Sequence, residues 1–195
     1  MSCGNNLQKG EKHLPELEPH IELLIDGCKK DDRQAQEKLY RSFYRVMMNL
    51  CLRYTKNERD ALEVLNTGFY KVYKHISRFD AAKASLYTWI RTIIINSCLD
   101  FIRAKQSLSG AGELEQAANI HVPPAVIASL SASAILQLVR QLPPATQAVF
   151  NLYVMEGYSH IEIARIAGIS EGTSKWHLSE ARKKLQQWIK EEDNS

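Results

Sequence analysis

The chain has 195 residues, of which 45% are hydrophobic and 24% charged, and carries a net charge of +3. That is long enough for one medium domain or two small ones and apolar enough to exclude wholesale disorder. The mildly basic balance suits a nucleic-acid partner without demanding one. Cys3, Cys28, Cys51 and Cys98 lie far apart with no Cys-x-x-Cys pair and no His at ligand spacing. A zinc site or disulfide framework is therefore disfavoured, and reduced or buried thiols are expected. Residues 1–19 are polar and lack the apolar centre of a signal peptide, and no stretch approaches membrane-spanning length. The expectation is a cytoplasmic protein with no membrane insertion, no cofactor and no metal.

Residues 1–20 read as a flexible tail. A helical pattern follows from Ile21 through Leu24, Ile25 and Cys28 and ends near Lys30 and Asp31. A longer helix from about Arg33 carries Leu39, Phe43, Val46, Met47, Leu50, Cys51 and Tyr54 at a period near 3.5. Lys56-Asn57-Glu58 breaks it. The third helix, starting near Asp60, has Leu62, Leu65, Phe69, Val72, Tyr73 and Ile76 on its stripe. Arg78 to Lys83 reads as a connector. The fourth helix runs from about Ser85 to Ala104, with Leu86, Ile90, Ile93, Ile94, Ser97, Cys98 and Phe101 as its packing side.

Residues 106–132 are rich in Ser, Gly and Pro and poor in aromatics, as a flexible linker is, with a turn of helix expected around Glu113–Ala118. A second domain, 133–190, opens with a short helix around Ile135, Leu136, Leu138 and Val139, stopped by Leu142-Pro143-Pro144. Pro144 suits the first turn of the next helix, where its missing N–H has no intrahelical partner. That helix carries Val149, Phe150 and Tyr153 and ends at Gly157. Residues 191–195 form a short tail. No alternating strand pattern occurs, so the fold class is all-α, in two small helical domains.

Gly157 to Leu185 is the most informative stretch. Tyr158 to Ala167 is a helical pattern with Ile161, Ile163, Ala164 and Ile166 as apolar positions, and Gly168 follows where helices end in a left-handed conformation. Ile169 plugs the corner and Ser170 is a good N-cap for the next helix. This is a helix-turn-helix, whose second helix can lie in the DNA major groove. In that helix Ser174, Leu178, Ala181, Leu185 and Trp188 share the inward side. Gly172, Thr173, Trp176, Ser179 and Lys183 face outward, flanked by Lys175, His177 and Lys184. Small, hydroxylic and basic residues on one face suit close approach to DNA, with lysines for phosphates or bases.

The fourth helix presents Trp89, Thr92, Asn96 and Arg103 away from its core, with Tyr87, Arg91 and Asp100 nearby. Aromatic rings beside hydrogen-bonding and basic groups suit single-stranded nucleic acid, although aromatics on a helix are more often core. No paired carboxylates, no Ser or Cys nucleophile with His, and no phosphate-binding Gly loop has motif spacing. His160 and His177 read as surface or DNA-facing side chains, and the chain is not expected to be an enzyme. From the residues alone it is a two-domain helical DNA-binding protein. A dimeric helix-turn-helix regulator with a helical sensor domain remains the alternative, and a helical adaptor that binds no DNA is a third reading.

Three segments carry a family resemblance: DALEVLNTGFYKVYKHISRFD (Asp60–Asp80), SLYTWIRTIIINSCLDFIR (Ser85–Arg103) and LPPATQAVFNLYVMEGYSHIEIARIAGISEGTSKWHLSEARKKL (Leu142–Leu185). In this order they resemble regions 2.2–2.3, 2.3–2.4 and 4 of the sigma-70 family, specifically the short extracytoplasmic-function (ECF, group 4) sigma factors. The resemblance implies a region 2 bundle and a region 4 helix-turn-helix, and a factor that binds core RNA polymerase and recognises minus-35 and minus-10 promoter elements to start transcription. By position it assigns Asp60, Glu63, Asn66 and Phe69 to the clamp helices of the largest polymerase subunit. It assigns Phe79, Lys83, Tyr87, Trp89, Thr92, Asn96 and Arg103 to the minus-10 element. It assigns Ser170, Gly172, Thr173, Lys175, Trp176, Ser179 and Lys183 to the minus-35 element, with other region 4 surface on the polymerase flap. An anti-sigma factor is the further partner it implies. Asn66 stands where Gln is usual, Thr67 where an acid is usual and Gly68 where Thr or Val is common. Trp176 and His177 replace what are often a small residue and an Arg.

Overall fold

A computed structural model describes residues 18–108 and 132–193, with side chains over 21–105 and 136–190. The N-terminal tail to residue 17, residues 109–131 of the expected linker with the turn at Glu113–Ala118, and the side chain of Ile135 lie outside the described residues. The described elements are helical. Helix α1 (Glu18–Lys29), α2 (Arg33–Tyr54), α3 (Glu58–His75) and α4 (Leu86–Leu108) form the first unit, with one 3-10 turn (Ile76–Arg78) after α3. Helix α5 (Ala132–Gln141), α6 (Pro144–Phe150), α7 (His160–Ala167) and α8 (Glu171–Asp193) form the second.

Local chemistry sets the boundaries. Asp31 enters the left-handed region at φ 56°, which its short polar side chain tolerates. Asp32 then caps α2 by accepting a 3.0 Å hydrogen bond from the Gln34 N–H. Asn57 caps α3 through the Asp60 N–H at 2.8 Å, so α3 starts two residues before Asp60. The connector is ordered by Asp80, which accepts from the Ala82 N–H at 3.0 Å, and Ser85 accepts from the Thr88 N–H to open α4. That backbone bond, with Lys83 alongside, holds the Asp80 carboxyl below its usual range. Helix α4 continues to Leu108, four residues past the expected end.

In the first unit Leu39, Phe43, Met47 and Cys51 of α2 meet Leu65, Phe69 and Val72 of α3 and Ile90, Ile94 and Cys98 of α4, all buried. Two expected core positions are instead exposed: Val46 at 42% and Leu62 at 39%. The buried line of α2 runs 39, 43, 47, 50, 54, and Val46 lies just past its edge, about 60° from its middle. Met48, Ala61 and Val64 are buried in their place. Gly68 sits where α3 crosses α4: a Cβ there would lie 2.4 Å from Ile94 Cδ1.

The second unit packs Val139, Leu142, Val149, Phe150 and Leu152 against Ile163, Leu178, Ala181, Leu185 and Ile189. Pro144 does open α6, and the helix then widens into a π turn over Asn151–Met155, which the sequence pattern did not signal. Gly157 ends it at φ 77°. Ile95, Leu99 and Ile102 on α4 are also buried, although they lie outside the expected packing side, and the second unit covers Leu99 and Ile102.

Gly68→Val should lower stability by about 1–3 kcal/mol, since the end of the fully buried Ile94 side chain must be displaced within the core. Urea melts should register that loss, and Gly68→Val combined with Ile94→Ala should recover most of it.

Candidate nucleic-acid and polymerase interfaces

The outer face of α4 is built around an aromatic pair. Phe79 from the connector meets Trp89 edge-on, centroids 5.5 Å apart at 61°, and both rings pack partly against the core. Beside them Thr92 and Asn96 are exposed one turn apart, and Tyr87 is half-buried. The Thr92 hydroxyl donates to the Thr88 carbonyl at 2.9 Å. Lys83 lies exposed 3.3 Å from Asp80. This set brings together aromatic faces, an amide and a hydroxyl, which is what stacking and base-edge hydrogen bonding need. Arg103 stands apart from it: its guanidinium bonds Asp100 at 2.9 Å and donates to the Ile166 carbonyl on α7 at 2.8 Å.

The helix-turn-helix is fixed by reciprocal caps. Ser159 Oγ accepts from the Glu162 N–H, and Glu162 Oε2 accepts from the Ser159 N–H at 2.8 Å. This capping box starts α7 two residues later than expected, and its Ser-x-x-Glu signature stands in the sequence. Those bonds from Ser159 hold the Glu162 carboxyl below its usual range. Gly168, at φ 69°, ends α7, and Ser170 Oγ accepts from the Thr173 N–H at 2.9 Å to open α8. Of the apolar positions expected on α7, Ile163 is fully buried while Ile161 is 60% exposed.

Two histidines pin α8. His160 Nδ1 lies 2.9 Å from the Ser174 hydroxyl, its ring stacked on Tyr153 at 4.6 Å. His177 Nδ1 lies 3.0 Å from the Thr146 hydroxyl of α6. His177 is therefore no DNA-facing residue: it is only 8% exposed, because it lies about 60° from Ser174 on the helix and α6 covers that flank. Burial lowers the pKa of both imidazoles, aided at His160 by Lys175. Trp176 is half-buried, edge-on to His177 at 4.7 Å. Its indole N–H is shut off from solvent without a partner among the described residues, so its outward role is smaller than the sequence suggested. Gly172, Lys175 and Lys183 are exposed, Thr173 and Ser179 half-buried. Lys175 pairs with Glu171 at 2.6 Å.

On α3 the residues assigned to polymerase divide. Asp60 is turned in, accepting from Lys105 at 2.6 Å and from Asn57. Phe69 is buried, edge-on to Tyr40. Glu63 is exposed, and Asn66 accepts from the Tyr40 hydroxyl at 2.9 Å. The sequence reading missed Leu62, Tyr70 (65% exposed) and Tyr44 (37% exposed). Leu62, Asn66 and Tyr70 recur every fourth residue and share a face of α3, a spacing that was readable once Leu62 was taken out of the core. This face is more aromatic and apolar than acidic, in keeping with Asn66 and Thr67.

Among the described residues there is no cluster able to hold a metal ion and no helix long and apolar enough to cross a membrane. A pinned helix-turn-helix beside a bundle with an aromatic, amide-bearing face defines a helical nucleic-acid-binding protein. Residues 39–108 match the sigma-70 region 2 family and residues 132–185 the sigma-70 region 4 family. The ECF RNA polymerase sigma factor SigM of Mycobacterium tuberculosis is 29% identical over 79% of this chain and 76% of its own. SigW of Bacillus subtilis, also an ECF sigma factor, is 26% identical over 90% of this chain and 100% of its own. The sigma factor RpoE of Bartonella quintana, solved with the anti-sigma factor NepR, has the same fold: TM-score 0.51 and 19% identity over 79% of this chain and 96% of that one. The chain belongs to the sigma-70 family, in its ECF group. It is thus a bacterial transcription initiation factor that works with core RNA polymerase on promoter DNA.

Both imidazoles fold best neutral, so the unfolded chain binds more protons as pH falls below about 6.5. Stability of the helix-turn-helix unit should be complete above that pH and decline below it. Chemical denaturation across pH 5 to 7.5 should show the slope, and His177→Gln should flatten it.

Proposed function

We propose that the outer face of α4 opens and holds the minus-10 element while α8 reads the minus-35 element, each within the first and second helical unit respectively. The observation that carries this reading is the juxtaposition of the Phe79–Trp89 pair with exposed Thr92 and Asn96. Extruding a base costs a few kcal/mol. Stacking on the aromatic pair and Tyr87, hydrogen bonds from Thr92 and Asn96, and the charge of Lys83 offset that cost. On α8 the exposed Gly172, Lys175 and Lys183, with Ser170, Thr173 and Ser179, form the major-groove surface. Trp176 contributes an edge rather than a full face.

Glu63, Asn66, Leu62 and Tyr70 form the surface for the polymerase clamp helices, with Phe69 beneath it and Asp60 shaping the start of α3. The remaining region 4 surface, where Val154, Met155 and Ile161 are exposed, docks on the flap. The pairing of RpoE with an anti-sigma factor in its solved complex supports a partner of that class here. The protein acts in the cytoplasm beside polymerase and lends promoter choice to an enzyme without itself being one. The dimeric-regulator alternative leaves the aromatic face of α4 without a role.

Run-off transcription with core polymerase, with and without this protein, tests the whole reading: discrete transcripts that need the protein are the expected result. Asn96→Ala and Trp89→Ala should each reduce permanganate-reactive open complexes on those promoters by roughly tenfold, about 1.4 kcal/mol, with polymerase binding retained. Lys183→Ala should instead weaken binding across promoters and make the salt dependence shallower.

A further inference from the structure

Glu156 follows the π turn and precedes the left-handed Gly157. Its side chain is completely buried, with 0% exposure, and is held by two guanidiniums from the other helical unit. Arg53 Nη2 of α2 pairs with one carboxylate oxygen at 2.8 Å, and Arg91 of α4 pairs with the other. A charge so enclosed is tolerable only when paired. Around it the two units exchange further bonds. Gln147 and Asn151 donate to the Arg53 carbonyl at 2.7 and 2.6 Å. Lys56 donates to the carbonyls of Arg140 and Leu142. At the far end Arg103 donates to the Ile166 carbonyl. Between them Leu99 and Ile102 of α4 face Ala148, Val149 and Ile169 across a cavity of only about 80 Å³.

The two DNA surfaces are thereby locked side by side. The minus-10 and minus-35 elements lie about 25 base pairs apart, on the order of 85 Å at ~3.4 Å per base pair. Two helical units in direct contact cannot occupy both at once. Arg103, assigned above to DNA, is also engaged by α7 in this arrangement.

We propose that this docked arrangement is an autoinhibited state of the free protein, closed by Glu156 between Arg53 and Arg91, which loading onto polymerase must open. The proposal rests on the assignment of the two DNA surfaces given under Proposed function. Closure lowers the apparent affinity for core polymerase by the fraction of molecules that are open. Glu156→Gln keeps the shape of the side chain and removes the charge that both arginines hold.

The test compares the full-length wild type and Glu156→Gln by small-angle X-ray scattering, by binding to labelled core polymerase, and by transcription at saturating protein. A larger radius of gyration for the variant, a three- to tenfold tighter apparent Kd and full transcription at saturation uphold the latch. Equal radii and equal affinities overturn it, and so does a wild type already extended. Should Glu156→Gln lose helicity by circular dichroism, Lys56→Met is read instead, since it removes two interunit bonds without stranding a buried charge. Absence of transcription with both proteins would overturn the sigma-factor assignment of the two surfaces and with it the regulatory meaning, whatever the radii show.

Discussion

Helix α4 has to satisfy three surroundings at once, and most of the architecture follows from that constraint. One side, with Ile90, Ile94 and Cys98, completes the core with α2 and α3. A second, with Leu99 and Ile102, is covered by α6 and the helix-turn-helix corner. The third carries Thr92 and Asn96 into solvent beside Trp89. At 3.6 residues per turn a single helix has room for two buried stripes and one exposed face only if polar residues are confined to a narrow strip. Arg91 lies on the side of the second stripe, one turn before Ile95, which is why its charge can reach Glu156. The absent side chain at Gly68 belongs to the same constraint, because it lets α3 come close enough for Ile94 to fill the gap.

The order of helices, the helix-turn-helix and the outer face of α4 were legible in the sequence because each has a local physical signature. Gly168 and Ser170 mark the turn by backbone conformation and capping, and periodicity marks the inward side of α8. What was not legible depends on which neighbour covers a flank. Leu99 and Ile102 belong to a stripe whose partner lies more than forty residues away in sequence. His177 looked outward because nothing local reveals that Thr146 of α6 stands over it. Leu62 and Val46 read as core for being apolar, whereas each lies at the edge of its helix's buried line and stays exposed. The exposed Leu62 and Tyr70 then join Tyr44 in a patch that only the assembled bundle displays.

Where this chain departs from the family pattern it resembles, the departures have physical content. On α3 an amide and a hydroxyl, Asn66 and Thr67, stand where acids or longer amides are usual, and Asp60 is drawn into a bond with Lys105. Glu63 is left as the exposed carboxylate of the assigned set. A contact that relies less on charge relies more on buried apolar area and is correspondingly less sensitive to salt. On α8 the His177–Thr146 bond braces the helix against α6. Trp176 is wedged edge-on against that brace.

A closed state that polymerase must undo cannot be held too tightly, and the chemistry of the interunit contact meets that requirement. Moving a carboxylate and two guanidiniums out of water costs several kcal/mol per ion, and their attraction in the interior roughly offsets that cost. An apolar surface of the same area would hold the units together more firmly, and without a defined register. The Glu156 cluster therefore contributes direction more than strength: only one docking of the units satisfies it. The bonds around it act alike, since the Arg53 and Leu142 carbonyls that accept them can turn to water when the units part. Breaking these polar bonds exchanges protein partners for water at modest net cost, while any displaced docking leaves a buried charge unpaired. That combination, low strength with high geometric selectivity, is what a reversible contact between two DNA-binding units requires.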